Sequence, residues 1–242
     1  MIKINFVGTS HGFPENHRQC SSTFFTVGGN TYIVDAGADI GAALNKNDIP
    51  LESVKAIFIT HPHGDHLNGI LGLCDYITWY KPYHACNPKF MFPDKACIIA
   101  IENWRRFILD NNYYIRPDLD FNVYSAGVIF DDGILKVTAV KTAHISSSHA
   151  FILEAEGKRI FYTGDMVYNL SEYPRILGDH HYNLVICESA HHDPGTANEK
   201  LMHTNTDMLI MNHISLSREE ELKRLKPPFT YKMAFDGDIV EI

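Results

Sequence analysis

The chain has 242 residues, of which 45% are hydrophobic and 21% charged, with a net charge of −8 at neutral pH. That much apolar side chain excludes a disordered polypeptide and predicts a single globular domain over residues 1–242 with a sizeable core. The acidic balance excludes an extended basic face for nucleic acid, because such binding rests on phosphate neutralisation by Lys and Arg.

The opening MIKINFVGTS lacks a basic region followed by a long apolar run and a small-residue cleavage site. No apolar stretch approaches the roughly 20 residues of a membrane span. The expectation is a cytoplasmic protein that does not enter a membrane. Cys20, Cys74, Cys86, Cys97 and Cys187 are odd in number and form no CxxC, which fits reduced packing thiols better than a disulfide framework.

Elements are read in chain order from periodicity and turn signals. Strands are expected at Ile2 to Val7, Thr23 to Val27, Thr31 to Val34 and Ala56 to Thr60, with a hairpin turn at Gly28-Gly29-Asn30. Helices are expected at Ala38 to Asn45 and Leu67 to Tyr80, then an irregular loop from Lys81 to Pro93 with Pro82, Pro88 and Pro93, then a helix at Ile98 to Asp110. Further strands follow at Ile134 to Val140, Ala150 to Ala155, Arg159 to Thr163, Leu184 to Cys187 and Met208 to Met211, with a turn at Glu156-Gly157-Lys158. Helices at Ala197 to Met202 and Ser217 to Leu225 complete the pattern, the last opening with Ser217 as N-cap and Glu220 in capping-box position. Two blocks of hairpin-joined strands, separated and followed by helices, imply layered sheets flanked by helices.

The stretch AIFITHPHGDH sets a short apolar strand directly before three histidines and an aspartate. If extended backbone continues past Thr60, His61 and His63 point to one side, since strand side chains alternate, and Gly64 turns the chain so that Asp65 and His66 return. Such a loop can offer two histidines to one ion and an aspartate with a histidine to another. Neutral imidazoles and an ionised carboxylate suit a divalent cation at neutral pH. Zinc fits the donor types best, with manganese or iron as alternatives. A lone histidine is more often a packing residue, but HxHxDH after an apolar strand is a specific spacing.

A centre for two ions closes on groups from separate parts of the chain, placed best by rigid elements. His144 follows the strand LKVTAVKTAH, Asp165 ends RIFYTGD, and His213 ends DMLIMNH. Taken singly, either histidine could equally be structural and Asp165 a turn residue. Together they supply what the loop lacks, and an aspartate can bridge ions about 3.5 to 4 Å apart with its two oxygens, which makes Asp165 the natural bridge.

With these residues in view, the chain resembles the metallo-β-lactamase-fold hydrolases over nearly its whole length. The markers stand in family order: VDAG at 34–37, THPHGDHLNGI from Thr60, His144, TGD at 163–165 and NHIS at 212–215. The resemblance implies an α/β fold of four layers, an αββα sandwich, with a dimetal centre along one edge of its sheets. One ion would be held by His61, His63 and His144, the other by Asp65, His66 and His213, with Asp165 between them. Asp35 would steady the loop from behind, or be an ordinary strand-end aspartate.

Within that superfamily, VGTSHGFPENHRQCSS at 7–22 is similar to the opening of the ribonuclease Z-like phosphodiesterase branch, and MAFDGDIVEI resembles that branch's strand-turn-strand ending. His11, Asn16, His17 and Arg18 then line the substrate cleft or form an exposed loop. Two departures bear on function. Ribonuclease Z proper carries a long arm that grips transfer RNA between the His and the bridging Asp, whereas only 20 residues lie between His144 and Asp165 here. Ribonuclease Z also uses a Glu and a His to assist the leaving group. Glu188 in CESAHH matches the first, but His203 in MHTNT lies closer to His213 than the family places it, which leaves the proton donor open among His203, His191 and His192. His149 either faces the cleft or packs on its strand.

The expected activity is hydrolysis of a small phosphodiester, such as a cyclic nucleotide or a short nucleotide end, by a dimetal-bound hydroxide. Asp65 would orient or deprotonate the water while ligating, and a histidine would protonate the departing alkoxide. A lactonase or other ester or thioester hydrolase can use the same centre. A redox di-iron protein of this fold is disfavoured, because those families carry a carboxylate where His63 stands. A non-catalytic binding protein is disfavoured by the full set of seven ligands. Homodimers are common among relatives, an expectation by analogy alone.

Overall fold

In a computed structural model of the chain, residues 1–80, 86–108 and 118–242 are described. Strands β1 (Ile2–Gly8), β2 (Ser22–Val27), β3 (Asn30–Val34), β4 (Val54–Phe58), β5 (Lys89–Phe92) and β6 (Asp120–Val123) lie side by side in one sheet. A second sheet holds β7 (Gly127–Asp131), β8 (Lys136–Lys141), β9 (His149–Ala155), β10 (Lys158–Tyr162), β11 (Leu184–Glu188), β12 (Met208–Asn212) and β13 (Thr230–Met233). The last strand, β14 (Ile239–Glu241), returns to the first sheet beside β1.

Each sheet is antiparallel in one half and parallel in the other. Two-residue turns join the antiparallel strands where the sequence supplies positive φ: Gly28 and Gly29 (+56° and +81°) between β2 and β3, and Glu156 and Gly157 (+49° and +71°) between β9 and β10. Such turns match the twist of the flanking strands. The parallel runs β3 to β6 and β10 to β13 need crossovers, and helices supply them. These are α1 (Ile40–Lys46), α2 (Gly64–Leu67), α3 (Ile70–Tyr80) and α4 (Lys95–Ile108) over the first sheet, and α5 (Tyr173–Leu177), α6 (Pro194–Met202) and α7 (Glu219–Leu222) over the second.

Alternation along the strands fills three apolar layers. In β9, Phe151, Leu153 and Ala155 enter the core between the sheets, while Ala150 and Ile152 face the outer helices. In β4, Ala56 and Phe58 face the second sheet and Ile57 faces α1 and α3, so the strand is apolar on both sides. Each large side chain so buried contributes about 2 kcal/mol. Helix, sheet, sheet, helix is the four-layer αββα arrangement expected from the sequence. The five cysteines are buried and form no disulfide among the described residues. Among the described residues no helix is long and apolar enough to cross a membrane.

Several expectations are corrected. The irregular loop expected over 81–93 contains β5, whose KFMF places Phe90 and Phe92 in the outer core; Pro82, and the Asp110 end of the helix expected at Ile98 to Asp110, lie outside the described residues. The helix expected from Leu67 is two helices, since the chain breaks at Asn68-Gly69, where the Gly69 N–H donates to Ala36 O (2.7 Å). Helix α1 starts at Ile40 because the Asp39 carboxylate accepts from Ala42 N (3.0 Å). Strand β8 starts at Lys136, the amides of Ile134 and Leu135 being taken by Asp132 Oδ1 (2.9 Å each). The capping box at Ser217 does not form: Ser217 Oγ pairs with Ser215 Oγ (2.9 Å), residues Leu216–Arg218 make a 3-10 turn, and α7 has only four residues.

Candidate metal centre

The parallel strands end at the same edge of the sandwich, and chemistry-bearing residues follow each end. Asp35 comes after β3, His61 to His66 after β4, Asp165 after β10, Glu188 closes β11, and His213 follows β12. His144 lies in the turn between β8 and β9.

Two clusters result. In the first, His61 Nε2 lies 3.0 Å from His63 Nδ1, His144 Nε2 lies 3.2 Å from His63 Nδ1, and Asp165 Oδ2 stands 3.4 and 3.7 Å from His61 and His144 Nε2. In the second, His213 Nε2 is 3.1 Å from both His66 Nε2 and Asp65 Oδ2, and Asp165 Oδ1 stands 3.3 and 3.6 Å from His66 and His213 Nε2. The seven residues expected from the sequence as ligands are thus brought together, with Asp165 giving one oxygen to each cluster.

This donor set fits divalent cations. Two nitrogens bound tetrahedrally at 2.0–2.1 Å stand about 3.3 Å apart, close to the separations found. Asp165 Oδ1 is buried and, among the described residues, has no well-aligned hydrogen-bond donor; the groups that approach it are the imidazole nitrogens of His66 and His213, so a metal cation at that point suits its charge. His63 is exposed, so the first cluster opens to solvent, while His66 and His213 are buried.

Electrostatics prepare the histidines differently. Burial, then the neighbouring imidazole of His66, pushes His61 down to about 2. Burial also opposes charge on His66, but Asp165 and Asp35 outweigh it and raise His66 well above its ordinary value. Those carboxylates thus favour a proton on His66 in the protein alone, and a cation that takes its Nε2 displaces it. A raised pKa gives this sign: affinity climbs as pH rises toward the His66 pKa and falls as pH drops. Zinc titrations in buffers of different ionisation enthalpy should report proton release, and heats independent of the buffer would rule it out.

Asp35 stands behind both clusters, fully buried and at φ +59°. Its Oδ1 accepts from Thr60 N (2.8 Å), and its Oδ2 lies 2.8 Å from His66 Nδ1. The carboxylate thereby holds the Nδ1 proton and leaves Nε2 turned to the cluster. His213 is likewise left-handed, at φ +52°. Two non-glycine residues so placed each cost about 1 kcal/mol or more, strain held by the surrounding packing. Asp35→Asn is expected to weaken metal binding about 10- to 100-fold with the fold intact, as read by competition with a chromophoric chelator; unchanged affinity would remove this role.

The histidines weighed as proton donors separate clearly. His191 Nδ1 lies 3.8 Å from Asp165 Oδ2 and 3.5 Å from Glu188 Oε1, and its ring is 4.6 Å from that of His144. Glu188 is buried and accepts from Ala190 N (2.7 Å) and His191 N (3.0 Å), so it shapes the turn that carries His191. His192 is fully buried, its Nε2 on Glu188 O (2.8 Å). His203 is not brought to the clusters: it caps α6, exposed, with Nδ1 on Glu199 O (2.7 Å). His149 packs edge-on against Tyr124.

The loop after β1 divides in the same way. His11 sits 6.1 Å, ring to ring, from His213, and Gly12 N donates to Asp65 Oδ2 (2.6 Å). Arg18 instead is buried, bonding Thr9 Oγ1, Ala234 O and Glu219 Oε1, while Asn16 and His17 are exposed. The Gly12 contact carries no side-chain signal by which the sequence could announce it.

Comparison with known proteins bears on the fold and the family. The chain is 26% identical over 186 residues to a ribonuclease Z from Thermococcus onnurineus, covering 74% of this chain and 55% of that one. It spans about half the length of the first curated relatives it matches. The crystal structure of the metallo-β-lactamase fold protein YhfI from Bacillus subtilis superposes with a TM-score of 0.75 at 19% identity, covering 100% of both chains. Human tRNase Z, short form, superposes with a TM-score of 0.74 at 20% identity, covering 99% of both. The fold is therefore the metallo-β-lactamase fold, and in sequence the chain is similar to ribonuclease Z proteins. Residues 2–219 of 242 match the family described as Anti-Pycsar protein Apyc1, and the chain belongs to that family.

Proposed function

We propose that the protein is a metal-dependent phosphodiesterase acting on a small phosphodiester, a cyclic nucleotide or a short nucleotide end, with two divalent cations, zinc foremost. The observation that carries this reading is the split of Asp165, one oxygen in each cluster of histidines. The name ribonuclease, borne by the relatives, is that of a phosphodiesterase. The size of the substrate is supported by the acidic balance and by the short β9–β10 hairpin, which is all that lies between His144 and Asp165 apart from their flanking turns.

The first cluster fits one cation through His61, His63 and His144, and the second fits another through Asp65, His66 and His213, with Asp165 shared. When bound, such a pair supplies Lewis acidity at the phosphoryl oxygens and lowers the pKa of water toward neutrality. Asp65 is steadied by the Gly12 amide and His213, so its carboxylate is placed to orient the attacking water. His191, a third exposed and backed by Glu188, is placed to hand a proton to the departing alkoxide, a step worth about two to four orders of magnitude in rate. Glu188 positions it.

Hydrolysis of bis(p-nitrophenyl) phosphate by the wild type and by Asp65→Ala, with metal content determined on the same samples, tests the reading. Turnover by the wild type that vanishes in the variant is expected. A wild type holding two ions yet inert to phosphodiesters would overturn it and transfer the site to lactones and thioesters, whose carbonyl the same pair would polarise.

A further inference from the structure

The loop from Gly8 to Arg18 is held at several points, yet it presents an apolar ring to solvent. Ser10 Oγ donates to Phe13 O (2.8 Å), Gly12 N to Asp65 Oδ2 (2.6 Å) and Leu216 N to Glu15 Oε2 (3.0 Å). Glu15 and Arg18 exchange two backbone hydrogen bonds (3.1 and 2.7 Å), and the buried Arg18 ties the end of the loop to Glu219. Phe13, in the middle, is 59% exposed. A phenylalanine so exposed contributes little to folding, and the fixed backbone on either side keeps it from tucking inward.

Its place is beside the metal clusters. The Phe13 ring lies 5.8 Å from that of His11, which lies 6.1 Å from that of His213. One ring thus separates Phe13 from a residue of the second cluster, much as one sugar separates the phosphate of a nucleotide from its base. Of the other exposed aromatic residues, Trp79, Trp104 and Phe107 stand on α3 and α4 over the outer face of the first sheet, Phe235 is covered on one side by the Arg18 guanidinium (4.3 Å), and Tyr168 lies in the 3-10 turn that follows Asp165.

We propose that Phe13 is the platform on which the base of a nucleotide substrate stacks, and so a specificity-determining residue. Resting on the phosphodiesterase reading, the proposal assigns the phosphate to the clusters and the base to this ring. Stacking on an aromatic face is tolerant of base identity, so Phe13 would select for a nucleotide over a base-free ester without choosing among bases.

The test compares AMP with ribose 5-phosphate, which differ only in the base, by titration calorimetry on zinc-loaded protein. The wild type should bind AMP about tenfold or more tightly than ribose 5-phosphate. Phe13→Ala should bring AMP down to the level of ribose 5-phosphate and leave the latter unchanged. Phe13→Trp should keep the preference, and Phe107→Ala should alter neither affinity. A wild type without preference, a Phe13→Ala variant that keeps it, or equal weakening of both ligands would each overturn the proposal. Failure of the phosphodiesterase reading shows separately, as absent turnover of bis(p-nitrophenyl) phosphate by the zinc-loaded wild type.

Discussion

Asp165→Asn should lower turnover of bis(p-nitrophenyl) phosphate on the order of a thousandfold or more, and cut bound metal from two ions per chain to one or none. The substitution keeps shape and removes charge. Asp165 is 2% exposed, and burial alone would favour its neutral form, yet His213, His66 and His61 hold it well below the usual carboxylate range. An amide in its place can turn an oxygen to one cluster only, and its NH2 then faces the ring nitrogens of the other. The metal-free variant should still unfold in one cooperative transition, as the metal-free wild type does, at a lower midpoint because His66 loses a charge partner; that cooperative transition separates loss of the centre from loss of the fold. Full metal content with full turnover would show that the two clusters do not depend on a shared anion.

Gly37→Ala should be strongly destabilising, by about 3 kcal/mol or more in denaturant unfolding. A Cβ at Gly37 would meet Asp65 O at 1.8 Å and Cys20 Cβ at 2.8 Å. The first of these is backbone and cannot swing aside, so the chain must move at the residue that presents a carboxylate to the second cluster. Stability and metal content should therefore fall together. Gly72→Ala, on the exposed side of α3 with nothing within 4 Å of its added Cβ, should act in the opposite direction, raising stability by about 0.5 to 1 kcal/mol through helix propensity. Two glycine-to-alanine changes of opposite sign in one molecule make the argument one of contact rather than composition. Equal effects would refute it.

What the sequence discloses follows from what each element must bury. The strands that pack on both faces, such as AIF in β4 and LVIC in β11, are legible because their apolar runs are continuous and rich in β-branched residues. The edge strands β6 and β7 are half exposed, with DFNV and GVIFD mixing polar and apolar positions, and no pattern separates such segments from loops. Strand β5 escapes because Pro88 and Pro93 flank a run of only four residues. In the site, the residues that converge sit at strand ends, so their spacing from apolar runs reveals them. What spacing cannot supply is the direction of a turn. His191, His192 and His203 look equivalent in sequence, and they part only because Glu188 draws the amides of Ala190 and His191 onto its carboxylate while α6 carries His203 to its far end. The part played by Gly12 depends on a backbone amide and is invisible for the same reason.

The division of the candidate ligands between the sheets has a mechanical meaning. His61, His63, Asp65 and His66 extend from the first sheet, and His144, Asp165 and His213 from the second. Ions held by this set would act as a removable rivet through the rim of the sandwich, joining segments that lie far apart along the chain. Like a disulfide, such a joint withdraws configurational freedom from the unfolded polypeptide. Unlike a disulfide, its strength follows the supply of free cation and the pH, so the rigidity of the reaction edge would be set by the surroundings, while the apolar interlock between the sheets holds the rest of the molecule together regardless.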